Sequence, residues 1–276
     1  MRVPLPLPLP KGRGSKSTFN PDEDPIQLSV QLYSLRAIGD FDAQLALCKN
    51  VGFTHVESVA THGLSPADFA ARLAAHGLGL SSMHAGIALL EDAAERQKII
   101  EACRATACPL IVMPWLPMGE RAATGAGWRA IGARLAALGE IINAAGLRLA
   151  YHNHEWEFLN YDGQTALEWI FGAAPAALVG WEADLGWVRR AGQVPLTWVE
   201  RYADRLESVH AKDIAAAGQG RDEDGWSALG AGIVGWNELF PALRTRCQLF
   251  ILEHDMPKDH EAMLRTSLAC MRRHLT

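Results

Sequence analysis

Residues 128–154 read WRAIGARLAALGEIINAAGLRLAYHNH and contain one complete helix-to-strand unit. Apolar residues over 128–145 recur at three- and four-residue spacing, which predicts an amphipathic helix. Gly146 follows, as the left-handed C-cap between a helix and the next strand requires. Residues 147–154 then predict a strand that ends on two histidines.

The same unit recurs along most of the chain. Further candidate helices cover residues 41–51, 66–76 and 91–105, and Gly52 and Gly77 each separate a helix from the next strand. The eight predicted strands are residues 26–33, 54–60, 78–84, 110–115, 147–154, 178–184, 206–212 and 249–255. Strict alternation of strand and helix predicts an α/β protein with a parallel sheet, and about 250 residues in eight units are typical of a (β/α)8 TIM barrel.

The main alternative is a doubly wound open sheet, which usually carries a glycine-rich phosphate loop after its first strand. The corresponding turn reads Tyr33-Ser34-Leu35-Arg36 and holds no glycine. We therefore predict a single TIM-barrel domain over residues 26–276. Residues 1–25 begin MRVPLPLPLP, and because alternating prolines prevent the apolar helix of a signal peptide, we expect a flexible N-terminal tail.

Composition limits the function. The 276 residues are 49% hydrophobic with a formal net charge of −5, which excludes disordered, collagen-like and disulfide-scaffold proteins and argues against a nucleic-acid partner. No apolar run reaches the roughly 18 residues of a membrane span, so we expect no membrane partner. The five cysteines are scattered without a C-x-x-C pair, which is typical of a reduced, cytoplasmic protein. A small-molecule partner fits these properties best.

Polar pairs of one parity end the last four predicted strands. These pairs are His152 and His154, Glu182 and Asp184, His210 and Lys212, and Glu253 and Asp255. Inward side chains at the carboxyl ends of barrel strands converge on one site. A lone strand-end residue of this kind is more often a surface group, but agreement among four strands favours a divalent metal. Imidazole and carboxylate donors without thiolate favour Mn²⁺, Fe²⁺, Co²⁺ or Zn²⁺ over Ca²⁺.

The first four strands supply different groups. The inward positions near their ends are Gln31, Glu57, His84 and Trp115. Amides, imidazoles and indole faces suit a polyhydroxylated ring, because each hydroxyl needs a directional partner and the C–H faces stack on aromatic rings. Tyr33 and His62 lie in adjoining loops, and simple core packing is an equal alternative for Trp115. The turn after the fifth strand adds Asn153 and Trp156 to the predicted substrate-binding set.

Seven segments resemble a known family. They are residues 30–36 (VQLYSLR), 63–65 (GLS), 113–116 (MPWL), 151–158 (YHNHEWEF), 182–187 (EADLGW), 210–213 (HAKD) and 253–255 (EHD). Together they resemble the xylose isomerase-like TIM-barrel superfamily, and within it the sugar phosphate isomerase/epimerase branch that includes inosose dehydratase. The resemblance runs from about residue 26 to the C-terminus and is uninformative about the substrate.

The resemblance implies one divalent metal, Mn²⁺ first, with Co²⁺, Fe²⁺, Mg²⁺ or Zn²⁺ as alternatives. The matching ligands are Asp184, His210 and Glu253. At strand five many relatives read Glu-Asn-His, whereas this chain places His152 where the carboxylate would be. We expect His152 to be the fourth ligand, with Glu182 as its substitute or as a partner of the ligands.

This departure affects the expected reaction. Epimerases of the superfamily resemble one another in using two opposed glutamates, and His152 replaces one of that pair. We therefore favour one-sided enolate chemistry of the dehydratase or eliminase type on a keto-sugar or keto-inositol. The candidate acid and base residues are His154, Glu182 and Lys212. His154 ranks first as base because imidazole titrates near neutral pH.

Three other functions remain open from the sequence. A sugar isomerase or epimerase on the same site would need Glu182 or Glu157 to replace the missing carboxylate. A DNA-repair endonuclease would need a multinuclear zinc site with more histidines from the early strands, where this chain has Trp115. A non-catalytic sugar-binding barrel is the third.

Two further segments each allow two interpretations of their role. Residues 214–232 are long, glycine-rich and acidic, and are either a lid over the site or a solvated insertion. Apolar positions over residues 196–202 are either a homo-oligomer interface or a stripe facing the barrel.

Overall fold

The structure is a computed structural model that describes residues 25–276. Eight parallel strands close into a barrel in which the first strand pairs with both the second and the last. The strands are β1 (Gln27–Gln31), β2 (His55–Val59), β3 (Gly79–His84), β4 (Leu110–Met113), β5 (Arg148–His152), β6 (Val179–Asp184), β7 (Leu206–Ala211) and β8 (Leu249–Leu252). The predicted TIM barrel is confirmed. The predicted N-terminal tail lies outside the described residues, apart from Pro25.

Helices surround the barrel. They are α1 (Phe41–Val51), α2 (Pro66–Ala75), α3 (Ile87–Glu91), α4 (Ala93–Ala105), α5 (Gly125–Ala144), α6 (Ala166–Ala173), α7 (Leu185–Arg190), α8 (Pro195–Arg201), α9 (Trp236–Leu243) and α10 (His260–Leu275). Short 3-10 turns cover Leu32–Ile38, Met118–Glu120, Trp156–Phe158, Ala203–Arg205 and Arg221–Glu223. None of the helices within residues 25–276 has the length and apolar character needed to cross a membrane.

Local sequence explains the helix boundaries. Gly52, Gly77 and Gly146 adopt positive φ angles between a helix and the next strand, as predicted. The segment predicted as one helix over residues 91–105 instead holds α3 and α4. Asp92 separates them because it is extended, and its carboxylate accepts hydrogen bonds from the first backbone N–H groups of α4.

Two apolar clusters define the layers of the barrel. The larger lies between strands and helices, and the smaller consists of five residues from β4, β5 and β8: Leu110, Val112, Ala150, Leu249 and Ile251. These five share the inward parity of the strands, so they fill the barrel interior. Nearer the carboxyl ends of the strands the interior becomes polar, which is where buried histidines and carboxylates gather.

The loop over residues 214–232 is anchored beside the barrel. Asp213–Ile214 pairs antiparallel with Trp226–Ser227. The Asp213 carboxylate accepts four backbone N–H bonds, from Ile214, Gly230, Gly232 and Val234, at 2.9–3.1 Å. A lid role for this loop stays a prediction.

The apolar stripe over residues 196–202 faces the barrel. Val199 is fully buried, the Trp198 ring packs edge-on against Phe158 at 4.9 Å, and Tyr202 packs on Phe171 at 5.0 Å. These side chains are already covered within the chain, which favours a stripe facing the barrel over a homo-oligomer interface.

Candidate metal centre

The ends of the last four strands bring four predicted ligands together. His152 ends β5, Asp184 ends β6, His210 lies near the end of β7, and Glu253 follows β8. One ligand atom from each lies within 4.8 Å of all the others, and all four side chains are buried. We call these four residues the outer group. Their function as metal ligands stays a prediction.

Asp184 carries the clearest sign that the outer group suits a cation. Its Oδ1 accepts a hydrogen bond from the backbone of Trp187 at 2.8 Å, at the start of α7. Its Oδ2 is buried and has no hydrogen-bond partner among the described residues. This oxygen lies 3.9 Å from His152 Nε2 and 4.0 Å from His210 Nδ1. The Lys212 ammonium lies 3.8 Å away, too far for a hydrogen bond. Because a buried oxygen without a hydrogen bond costs about 1–3 kcal/mol, this oxygen beside two imidazoles fits a cation ligand.

Lys212 forms ion pairs with two carboxylates, those of Glu253 and Asp255. The Lys212 ammonium lies 3.1 Å from Glu253 Oε2 and 2.6 Å from Asp255 Oδ1. It is buried, with the rings of Trp187 and Trp226 at 4.8 and 4.4 Å. Burial lowers the pKa of Lys212, but the surrounding carboxylates outweigh burial and raise it, so the lysine stays charged. Asp255 lies at the predicted strand end, but strand parity alone does not reveal its pairing with Lys212.

A second set of buried residues lies against the outer group. It consists of Glu57, His84 and Glu182, which we call the inner group. His84 Nε2 lies 2.7 Å from Glu182 Oε1 and 3.1 Å from Glu57 Oε1. His210 Nε2 faces the same two oxygens at 2.9 and 2.7 Å. His152, likewise, lies with Nδ1 3.3 Å from Glu182 Oε1. His152 and His210 therefore each direct one ring nitrogen toward the inner group and the other toward the outer group.

Three predicted substrate-binding residues are thus part of this buried network. Gln31 donates to Glu57 Oε1 at 2.7 Å and, like Glu57, is fully buried, whereas His84 is 5% exposed. Asn153, also predicted to bind substrate, is fully buried and bonded to Trp181 Nε1 and to the backbone of Asp184. Its observed contacts position the end of β6; contact of these four residues with a substrate stays a prediction.

Burial and neighbouring charges shift the pKa values of the site. Burial raises the pKa of Asp184 to about 8. Burial and the adjacent His210 lower the pKa of His152 to about 4, so its imidazole is neutral at pH 7. Burial also lowers the pKa of His84, but the Glu57 and Glu182 carboxylates outweigh it and raise the value to about 10. A bound cation would favour ionised Asp184, since opposite charge stabilises the carboxylate.

The mouth of the site is aromatic. The His154 ring stacks on Trp156 at 4.2 Å and tilts against Trp187 at 5.3 Å. The Arg121 guanidinium also lies over Trp156, 3.6 Å from the ring centroid. Trp115 follows β4 and is 46% exposed, so this exposure favours its predicted substrate role over core packing.

A buried carboxylate supports the turn that carries His154. Glu157 accepts hydrogen bonds from the Tyr151 hydroxyl at 2.6 Å and from the His154 backbone at 2.8 Å. Burial raises the pKa of Glu157 to about 7. Strand parity cannot predict this position behind the turn, so the sequence suggests Glu157 only as a replacement carboxylate.

Solved structures share this architecture. A sugar phosphate isomerase/epimerase from Parabacteroides distasonis superposes with a TM-score of 0.74 at 18% identity, over 97% of this chain and all of the other. The probable 3-DHS dehydratase AsbF from Bacillus anthracis gives 0.68 at 13% identity, over 90% of this chain and 99% of the other. The IOLI protein with a binding zinc atom gives 0.69 at 15% identity, over 91% and 98%. At these identities the likeness establishes the fold.

The sequence itself identifies the family. No curated protein matches the chain. The family model for the xylose isomerase-like TIM barrel, however, matches residues 45–274, which is most of the chain. This match agrees with the closed barrel and with the strand-end motifs. The chain therefore belongs to the xylose isomerase-like TIM barrel family.

Proposed function

We propose that the chain is a divalent-metal-dependent enzyme that eliminates a β-hydroxyl or β-glycosidic oxygen from a keto-sugar or keto-inositol. The observation that carries this proposal is the buried Asp184 Oδ2, which accepts no hydrogen bond within residues 25–276 and lies beside the nitrogens of His152 and His210. With Glu253, these residues would hold one divalent cation, and Mn²⁺ is the preferred candidate. Once bound, the cation would act as a Lewis acid toward the substrate ketone and acidify its α-proton.

His154 is the proposed base. Burial lowers the pKa of His154 well below its usual value, so the ring is neutral and free to accept a proton, but it is a weaker base than the near-neutral imidazole expected from the sequence. Its Nδ1 is buried and has no hydrogen-bond partner in the described part of the chain. Its ring centroid lies 4.9 Å from that of His152 and is held by the stacked Trp156. A base fixed this close to the outer group can take the α-proton of a substrate bound there.

Lys212 and Glu182 have different roles in this proposal. Charged Lys212 lies 3.8 Å from Asp184 Oδ2 and can stabilise the enolate oxygen or protonate the leaving oxygen. Glu182 is less suited to proton transfer, because His84 and Ser208 already bind its two oxygens at 2.7 Å each. In the balanced reaction the α-C–H and β-C–O bonds break, a C=C bond forms, and the leaving oxygen departs with one proton.

The substrate surface is the aromatic mouth. The exposed Trp115 offers a flat face that suits the C–H side of a sugar or cyclitol ring. Lys258, in the loop after strand eight, already pairs with Asp222. This pairing supports an unphosphorylated substrate.

The test combines metal dependence with product analysis. The chain is stripped with a chelator, reloaded with Mn²⁺ or Co²⁺, and incubated with keto-sugars and keto-inositols in ²H₂O. We expect loss of water or aglycone, observed by NMR, only in the reloaded protein. Glu253→Gln should abolish this activity, whereas the exposed control Glu261→Gln should not.

Two outcomes would contradict the elimination proposal. Solvent deuterium in an isomeric product, without loss of water or aglycone, would assign the isomerase or epimerase reaction instead. Activity indifferent to chelation and to reloading would overturn the metal-dependent chemistry.

A further inference from the structure

One sector of the barrel mouth, over the neighbouring strands β2, β3 and β4, is uncharged. The segments that leave these strands are residues 59–65 (VATHGLS), 85–90 (AGIALL) and 113–119 (MPWLPMG), and they contain no Asp, Glu, Lys or Arg. The segments after β5 to β8, by contrast, carry the charged side chains described above. Depletion of charged residues is typical of a surface that binds an apolar group.

A notch opens in this sector above β3. Only Ala85 and Gly86 join β3 to α3, whereas longer segments follow β2 and β4. A Cβ atom placed on Gly86 would meet nothing within 4 Å beyond its chain neighbours, so the space over this residue is open. Val59 lies beside His84 in the sheet, and His84 lies beside Val112. The segments after β2 and β4 therefore stand on either side of Gly86.

Apolar side chains flank the notch. Val59, at the end of β2, is 41% exposed, whereas Trp115 and Met118, after β4, are 46% and 80% exposed. Neighbouring strands lie about 4.8 Å apart, so the backbones on the two sides of the notch begin roughly 10 Å apart. An α-helix with its side chains is about 10–12 Å across. The notch therefore suits a single flat ring and is too narrow for a helix of a partner protein.

The charged side chains nearest this sector are engaged elsewhere. Glu120 lies 3.5 Å from Arg134 on α5, and Arg121 stacks on Trp156. The single titratable side chain within the three segments is His62. Burial lowers the pKa of His62, so its imidazole is neutral at pH 7. An ionised ligand group in the notch would thus find no countercharge.

We propose that the notch binds a flat, uncharged aromatic aglycone, so that the substrate is the keto form of a glycoside. His84, which ends β3 next to Ala85, belongs to the inner group, so the notch is continuous with the site. The elimination breaks the α-C–H bond and the bond between the β-carbon and the glycosidic oxygen. A C=C bond forms in the sugar, and the aglycone leaves as a neutral alcohol with one proton. This inference rests on the proposed function and names its leaving group.

Calorimetric titration of the metal-free full chain with 2-naphthol, a flat uncharged alcohol, tests the notch without depending on turnover. We expect the wild type to bind it. Trp115→Ala, which removes a stacking face, and Gly86→Leu, which fills the notch, should each weaken binding by about 10-fold or more. Gly172→Leu on α6 is the matched control, because a Cβ there also meets nothing within 4 Å, and it should bind like the wild type.

Turnover connects the notch to the reaction. In the metal-loaded wild type, we expect kcat/KM to be about 10-fold higher for the keto form of 2-naphthyl glucoside than for that of methyl glucoside. Gly86→Leu should abolish this difference, whereas Gly172→Leu should keep it. Circular dichroism checks folding, and Trp115→Ala decides the test if Gly86→Leu does not fold.

Equal affinity of the wild type, Trp115→Ala and Gly86→Leu for 2-naphthol would overturn the proposal. A wild-type dimer that dissociates in Gly86→Leu, observed by sedimentation, would overturn it as well, because a second copy of the chain would then occupy the notch. Failure of the proposed function gives a different result, namely 2-naphthol binding that depends on the notch without elimination from either glycoside.

Discussion

Asn153 clamps the backbone of Asp184 through two hydrogen bonds of 3.1 Å, accepting one from its N–H and donating one to its carbonyl oxygen. The same amide oxygen also accepts from Trp181 Nε1 at 2.8 Å. One side chain from the turn after β5 therefore fixes the end of β6, where the carboxylate of Asp184 faces the outer group. The position of a proposed ligand is thus determined by a residue that does not itself reach the cation.

Asn153→Ala should weaken both folding and metal binding. Loss of the amide leaves buried polar groups of Asp184 and Trp181 unpaired, which costs about 2–3 kcal/mol in free energy of unfolding. Misplacement of Asp184 should reduce Mn²⁺ affinity by about 10- to 100-fold. Urea denaturation and Mn²⁺ titration measure the two effects. Asn143→Ala, which removes one exposed hydrogen bond to the Ala177 carbonyl, is the control, and an equal effect of both variants would contradict the clamp.

Lys212→Met should destabilise the chain by about 3–5 kcal/mol, because it leaves the buried carboxylates around Glu253 and Asp255 without their cation. Without the lysine these carboxylates bind protons more tightly in the folded chain, so the destabilisation should be larger at pH 8 than at pH 5. Chemical denaturation at both pH values checks this. Lys258→Met, which removes an exposed ion pair, should change little, and a pH-independent effect of Lys212→Met would argue against the charge explanation.

Glu157 should make stability depend on pH. Because burial raises its pKa from 4.5 to about 7, the folded chain binds the proton more tightly than the unfolded chain, and this contribution to stability is lost as pH rises between these values. The change amounts to roughly 3 kcal/mol. Glu157→Gln should remove this component, so denaturation curves of variant and wild type should diverge across that range. The exposed control Glu155→Gln should show the same pH dependence of unfolding free energy as the wild type. If Glu157→Gln shows that same pH dependence too, Glu157 is not the group responsible.

Asp213→Ala should release the loop over residues 214–232. The variant loses four backbone hydrogen bonds to one carboxylate, which we expect to cost roughly 2–4 kcal/mol. Limited proteolysis followed by mass spectrometry should show faster cleavage within the loop. Asp222→Ala, in the same loop, is the control, and unchanged cleavage in Asp213→Ala would show that the carboxylate does not hold the loop.

The sequence alone predicted the barrel and the approximate position of each strand, because alternation of strands and helices is a local property with a fixed period. Strand-end parity also predicted that the polar pairs ending the last four strands would converge, and the family resemblance selected His152, Asp184, His210 and Glu253 among them. The break between α3 and α4 was missed, since the capping role of Asp92 interrupts an otherwise helical pattern.

Contacts between side chains across the barrel could not be predicted from the sequence. Glu57 and His210 are 153 positions apart in the chain, yet their side chains meet at 2.7 Å. Parity predicts that each points inward but not which partner it meets, because that depends on how the strands stagger when the barrel closes. Asn153 illustrates the same limit, as its role depends on where the turn after β5 lies beside β6.

The amino-acid sequence by itself determined the repeating strand–helix architecture and which side chains point into the barrel. Both follow from the geometry of single strands and helices. Only the closed tertiary structure decided that these groups form two adjoining sets, with His152 and His210 facing both. The physical reason is that closure sets distances between residues remote in the chain, whereas side-chain alternation sets direction alone.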